Sequence, residues 1–275
     1  MTYIHPADAQ KLQRLAIDLP QSLLFTGPKG IGFRGIIDEL SQILNATPIF
    51  ILPEKDDKVD LVKGNISVTI IRQLYDMTRT RSNEKRIIII DDADKMSSGA
   101  QNAFLKLLEE PSASTYFILL SHTPSALLST IRSRVHSFEF HPITPDQSTE
   151  LLNKLGVSDA TKRAQLMFIA GGMPAELTRL VSDDSYLESR SQIVRDARTL
   201  LQGNTYDALK VVDTYKDRRE DSLILLTDAS RLLKQNVTQS NEAAVIARIA
   251  TLLKTYERIL ANGNVRLCLA SAVLQ

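Results

Sequence analysis

Tryptophan is absent from this 275-residue sequence, and cysteine occurs once, at Cys268. A lone thiol excludes an internal disulfide and any zinc site built from cysteines; it fits a reducing cytoplasm. Long apolar runs are missing too. No stretch approaches the roughly 18 residues that a membrane span needs, and the first ten residues carry His5, Pro6 and Asp8 where a signal peptide requires an apolar core. There is no excess of either charge, since 33 Lys and Arg stand against 32 Asp and Glu for a formal net charge of +1. No whole-molecule field therefore draws the chain to nucleic acid or lipid, and any basic contact must be a local patch. Internal repeats and low-complexity tracts are also lacking. What is present is a globular composition, 43% apolar and 24% charged, long enough for roughly two domains of about 150 residues each.

Up to about Pro142, short apolar runs alternate with helical stretches. Leu23 to Thr26, Ile49 to Leu52, Ile87 to Ile90 and Tyr116 to Ser121 are the strand candidates; Gly35 to Leu44, Val68 to Thr80 and Ser98 to Glu110 carry apolar residues at three and four spacing. Strands apolar throughout and separated by helices predict an α/β domain with a parallel sheet covered on both faces. After Pro142 the spacing is helical throughout. Pro145 to Leu155, Asp159 to Ala170 and Ala175 to Val181 form a short group punctuated by Gly171-Gly172-Met173-Pro174, and longer stretches run from Leu187 to Ala261. With Ser182-Asp183-Asp184-Ser185 as the second boundary, the expected domains are 1–142, 143–184 and 185–275.

Two further absences are local. Gly27-Pro28-Lys29-Gly30-Ile31-Gly32 follows an apolar strand with the glycine spacing of G-x-x-x-x-G-K-[ST], but Phe33 and Arg34 stand where the lysine and the hydroxyl belong. In a working loop the lysine neutralises the β- and γ-phosphates and the hydroxyl holds Mg²⁺; Phe33 does neither, and Arg34 is expected to put a cation at the metal's place. Lys29 lies before the turn, away from the helix start where backbone N–H groups converge on phosphates. Those donors do not depend on side chains, so Gly27, Gly30 and Gly32 leave weak ATP binding without turnover physically open, and no cofactor is required. Asp91 and Asp92 follow the strand Ile87 to Ile90, at the end where α/β sheets place ligands. Asp91 has the position of a Mg²⁺-orienting carboxylate. Asp92 stands where a Glu positions the attacking water, and its oxygen falls about 1.5 Å short.

Thr130-Ile131-Arg132-Ser133-Arg134 follows the next strand. On their own, two arginines near a strand end are more often solvated than functional. Together with Asp91-Asp92-Ala93-Asp94-Lys95-Met96, Ala100 to Phe104, Leu105-Lys106-Leu107-Leu108-Glu109-Glu110-Pro111 and Leu127 to Ser129, they make the chain resemble the AAA+ clamp-loader subunits of bacterial replication. Within that family it is similar to members that carry a defective phosphate loop and keep the arginine motif, here Ser133-Arg134 followed by Val135 in place of a cysteine. The resemblance implies a AAA+ P-loop NTPase-like sheet domain, a small helical lid and an all-α collar. It also implies that Arg134 acts in trans on a neighbour's ATP site with Arg132 in support, and that Arg72, in Ile71-Arg72-Gln73-Leu74, contacts the DNA backbone. Implied partners are the gamma/tau and delta clamp-loader subunits, the sliding clamp and primer-template DNA. Gly171 to Leu177 resembles the start of the sensor-2 helix with Pro174 in place of arginine, and Leu260 to Leu267 resembles the collar signature. The zinc module common in bacterial relatives has no room between Ala46 and Pro48.

Two rival readings stay open at this point: an ATP-hydrolysing gamma/tau-like motor in which Lys29 and Asp92 have taken over the usual roles, and a stand-alone DNA-binding adaptor on a dead AAA+ scaffold. His122, in the sensor-1 region, either packs or senses phosphate. His5, His136 and His141 show no metal-ligand spacing. The run Arg79, Arg81, Lys85 and Arg86 reads equally as a DNA-facing patch and as a solvated face.

Overall fold

The computed structural model describes residues 2–61, 63–79, 85–111, 114–235 and 242–274. Helix α1 (Pro6–Ile17) precedes strand β1 (Ser22–Thr26), helix α2 (Phe33–Leu44) and strand β2 (Pro48–Ile51). A two-strand hairpin, β3 (Glu54–Lys55) and β4 (Lys58–Val59), turns through Asp56 and Asp57, both at positive φ. Then come α3 (Val68–Arg79), β5 (Arg86–Ile90), α4 (Ser98–Glu109), β6 (Thr115–Ser121), the one-turn α5 (Ser129–Arg132) and β7 (His136–Glu139). The five longer strands form one parallel sheet in the order β2-β5-β6-β1-β7.

Alternation along the central strands divides the core between two faces. Leu23, Phe25, Ile87, Ile89, Ile118 and Leu120 pack with Leu12 of α1 and Ile36, Ile37 and Leu40 of α2. The intervening Leu24, Ile88, Ile90, Phe117 and Leu119 pack with Ile71 and Leu74 of α3 and Phe104 and Leu107 of α4. Burial on both faces explains why β1, β5 and β6 are unbroken apolar runs. Strand β7 is different: among the described residues it pairs only with β1, and His136, Ser137 and Glu139 are exposed while Phe138 alone turns inward. An edge strand with one apolar residue gives no run to read, so only Phe138-Glu139-Phe140 looks strand-like in the sequence.

Beyond the sheet lie α6 (Pro145–Lys154), α7 (Ala160–Ala170), α8 (Pro174–Ser182), α9 (Asp184–Gln202), α10 (Thr205–Tyr215), α11 (Arg219–Gln235), α12 (Glu242–Leu260) and α13 (Val265–Val273). The helix starts are written in the sequence. Thr144 and Gln147 form a reciprocal capping box on α6, and Asp159, Asp183, Asn204 and Asn264 cap α7, α9, α10 and α13. The chain parts into two compact units, Met1–Thr178 and Arg179–Gln275, so α6, α7 and the first turn of α8 belong with the sheet. In the second unit, Asp228 on α11 is 1% exposed and pairs with Arg190 of α9, itself 6% exposed, at 3.0 Å. Arg219 donates to the carbonyls of Ile259 and Gly263, fastening the turn that precedes the Asn264 cap. Among the described residues no helix is long and apolar enough to cross a membrane.

Candidate functional site: a glycine loop and an arginine motif

Parallel strands bring the C-terminal ends of β1, β5 and β6 together, and with them Gly27, Asp91 and His122. Nδ1 of His122 lies 2.7 Å from the Gly27 carbonyl. A carbonyl only accepts, so Nδ1 carries the proton. The imidazole is also stacked on the buried Phe33 ring, centroids 4.9 Å apart and planes 19° apart. The residue that replaces the loop lysine is therefore packed against the residue in the sensor-1 region, and His122 packs here as an apolar wall with one polar tie.

The loop itself is in contact with the start of α8. Gly30 and Gly32 both have φ +86°, the left-handed region that glycine enters without strain, and Gly32 is the N-cap of α2. The Gly30 carbonyl accepts from the backbone N–H groups of Ala175 and Glu176, at 3.0 and 3.3 Å. These are first-turn donors of α8, which an N-terminal helix end otherwise offers to an anion. A Cβ on Gly30 would come within 2.8 Å of Glu176 Cβ. Pro174 at the first position of α8 has no N–H to place and fits that start. Lys29 is exposed in the turn closed by Ile31 N–H to Pro28 O, 3.1 Å.

The expectation for Arg34 is corrected. Its guanidinium lies 3.9 Å over the Phe50 ring of β2 and 4.0 Å from Asp38, a side-on arrangement at the sheet's end. Its influence on Asp91 is the weakest of those that act there.

Asp91 is half-buried, and burial is the main cause that holds its carboxyl above the ordinary Asp range; the Asp92 carboxylate pushes the same way. The Asp92 N–H, which Asp91 accepts at 3.1 Å, together with His122 and Arg34, pulls against them. A raised folded-state pKa favours the fold below the unfolded pKa, and that contribution disappears as pH rises through the folded value. Asp91→Asn should accordingly raise stability to urea at pH 7, with the gain shrinking as pH falls through the raised folded value and gone below about pH 4, the unfolded range. A variant no more stable than the parent at pH 7 contradicts this.

Asp92 has φ +48°, and its Oδ2 is 2.9 Å from Lys95 Nζ, which also donates to the Leu61 carbonyl. Beyond its short side chain, Asp92 is thus tied to a lysine three residues on. Asp94 accepts from Ser121 Oγ at 2.8 Å. Gln101, 5% exposed on α4, donates to the carbonyls of Met96 and Ala126 and accepts from Leu128 N–H at 2.7 Å. It joins the turn after Asp91 and Asp92 to the segment that leads into the arginines. The reading of the sequence missed Gln101, although a polar residue three before Phe104, on α4's apolar face, signals it.

Arg132, Ser133 and Arg134 are all exposed, at the edge where β7 begins. Nη2 of Arg134 is 3.0 Å from Glu109 Oε1, and Nη1 donates to the Thr130 carbonyl at 3.1 Å. Arg72 is exposed on α3. Of the basic run, Arg81 lies outside the described residues, and Arg86 donates to the Met77 carbonyl at 2.8 Å. His141 pairs with the fully buried Asp8, and among the described residues no group of His, Cys, Asp and Glu could hold a metal ion.

Residues 48–144 match the family model described as DNA polymerase III, delta subunit. The chain is 27% identical to DNA polymerase III subunit delta' of Bacillus subtilis over 76% of its own length and 70% of that protein, and 26% identical to the same-named subunit of Pseudomonas aeruginosa over 80% and 72%. Over most of its length the chain is thus similar to DNA polymerase III delta' subunits. A DNA polymerase III subunit gamma/tau of Mycobacterium tuberculosis is also 29% identical, over 48% of this chain and 26% of the relative. In fold, the chain is similar to a point mutant of RuvB from Thermotoga maritima, with a TM-score of 0.50 and 16% identity over 94% of this chain and 88% of that one.

Proposed function

We propose that this chain is the non-hydrolysing member of a bacterial clamp loader, a support that offers Arg134 to the ATP site of a neighbouring gamma/tau subunit. The observation that carries the reading is the condition of its own loop: Phe33 is stacked on His122, and Gly30 is bonded to the start of α8. Phe33 at the lysine position cannot neutralise a γ-phosphate, Lys29 lies in the turn before the helix start, and Asp92 is paired with Lys95. Weak nucleotide binding through the remaining backbone donors is compatible with this role; turnover is not.

The arginine pair has what the loop lacks. A guanidinium exposed beside a sheet edge presents a planar fork to phosphoryl oxygens without reorganising a core. Arg134 stabilises charge on the neighbour's transferring phosphate, and Arg132 adds a supporting cation. The helices after α8 serve as the collar that joins this chain to gamma/tau and delta subunits. The assembly opens a sliding clamp and closes it on primer-template DNA, to whose backbone Arg72 adds a salt-sensitive contact without sequence preference. The test is the DNA-stimulated ATP turnover of a gamma/tau-type partner mixed with this chain, carrying or lacking Arg134. Equal turnover in the two mixtures contradicts the proposal.

A further inference from the structure

We infer that Glu109 is an internal stand-in for the phosphate that Arg134 meets on its neighbour, a competing anion that the partner's nucleotide must displace. The inference rests on Arg134 acting in trans as proposed above. Both terminal nitrogens of Arg134 are engaged within its own chain, Nη2 by Glu109 Oε1 at 3.0 Å and Nη1 by the Thr130 carbonyl at 3.1 Å. The Thr130 carbonyl also accepts from Ser133 Oγ at 3.1 Å, so the turn that carries the arginine is itself tied down. The guanidinium therefore has partners within its own chain before any neighbour arrives.

Glu109 stands where helix physics disfavours an acid. It is the last residue of α4, and Glu110 is the C-cap. Two carboxylates thus sit at the negative end of the helix dipole, where cations are favoured. Lys106 is the one basic residue of the last turn, and Arg134 adds a second cation from outside the helix, in direct contact with Glu109. An acid at this helix end whose direct ion pair is with the proposed trans-acting arginine points to a role beyond the helix itself.

A carboxylate and a phosphoryl group offer the same pair of acceptor oxygens to a guanidinium. The two cannot approach the Nη2 edge together, because like charges in contact repel. With the side chains of Arg134 and Glu109 40% and 51% exposed, the pair is screened by water and weak. It is weak enough for a multiply charged triphosphate to replace it. Glu109 consequently lowers the apparent affinity of this chain for an ATP-loaded neighbour, by at most about five-fold, and does not matter where no γ-phosphate competes.

The experiment titrates the full chain into a gamma/tau-type partner, once with a non-hydrolysable ATP analogue and once with ADP. Four forms are compared: the parent, Glu109→Gln, Arg134→Ala and the double variant. Glu109→Gln should bind up to about five-fold more tightly with the analogue, bind like the parent with ADP, and lose its advantage when Arg134 is absent. Unchanged or weaker binding of Glu109→Gln with the analogue overturns the inference, as does an equal gain with ADP, which would mark a general charge effect. Arg134→Ala that binds like the parent with the analogue and leaves partner turnover intact instead removes the assignment of Arg134. An unchanged urea midpoint for Glu109→Gln separates these results from a loss of fold.

Discussion

Arg134→Ala should lower the DNA-stimulated ATP turnover of the reconstituted complex by about 10³-fold or more while leaving this chain folded. The size follows from what an arginine finger supplies: in phosphoryl transfer most of the protein's contribution is positioning and charge stabilisation, and a guanidinium in trans is worth roughly 10³ to 10⁵ in rate. The absence of a folding penalty follows from the geometry. Arg134 makes one exposed ion pair and one bond to a turn carbonyl, and such a pair contributes about 1 kcal/mol or less. Steady-state turnover of the complex, with the variant's urea midpoint as control, checks both halves. A drop below ten-fold would leave Arg134 as one surface cation among several.

The second large effect concerns stability of the helical unit. Asp228→Ala should destabilise the chain by about 3–5 kcal/mol, because it leaves Arg190 buried without the carboxylate it pairs with at 3.0 Å. Arg231, 3.5 Å from the same carboxylate and 30% exposed, can turn to water at little cost. Replacing both partners with apolar residues of similar volume, as in Asp228→Leu with Arg190→Met, should recover most of the loss, since the main penalty is an uncompensated charge and not the missing attraction. Urea unfolding of the single and double variants measures the difference. A single variant that loses less than about 1 kcal/mol would mean that water reaches Arg190.

The parts of the fold legible in the sequence are those with one dominant periodicity. Ile87 to Ile90 and Leu23 to Thr26 are buried on both faces of a parallel sheet, so their strands were visible as runs. Strand β7 was visible only in part, as the strand-like Phe138-Glu139-Phe140, and the β3–β4 hairpin was not visible as strands. The first has a single inward residue, and the second is two residues on each side with Lys55, Lys58 and Val59 exposed. At the candidate site, the glycines, the Asp91-Asp92 pair and the two arginines stand out because each belongs to a short local pattern. The contacts that decide their condition do not: Phe33 on His122, Gly30 on α8, Lys95 on Asp92 and Glu109 on Arg134. Three of the four join segments that only the sheet's crossovers bring together. The fourth depends on Asp92 adopting a left-handed backbone that its residue type permits and does not require. Arg34 fails for a related reason, since the aromatic ring that captures it, Phe50, lies on β2, a separate element from the helix that carries the arginine.

The most direct measurement is ATP turnover by the purified chain alone, with Mg²⁺ and primed DNA present. A chain whose loop holds Phe33 and whose Asp92 is paired with Lys95 should show none above background, and Asp91→Ala should change nothing. Efficient hydrolysis abolished by Asp91→Ala would contradict the account and make this chain a motor in its own right.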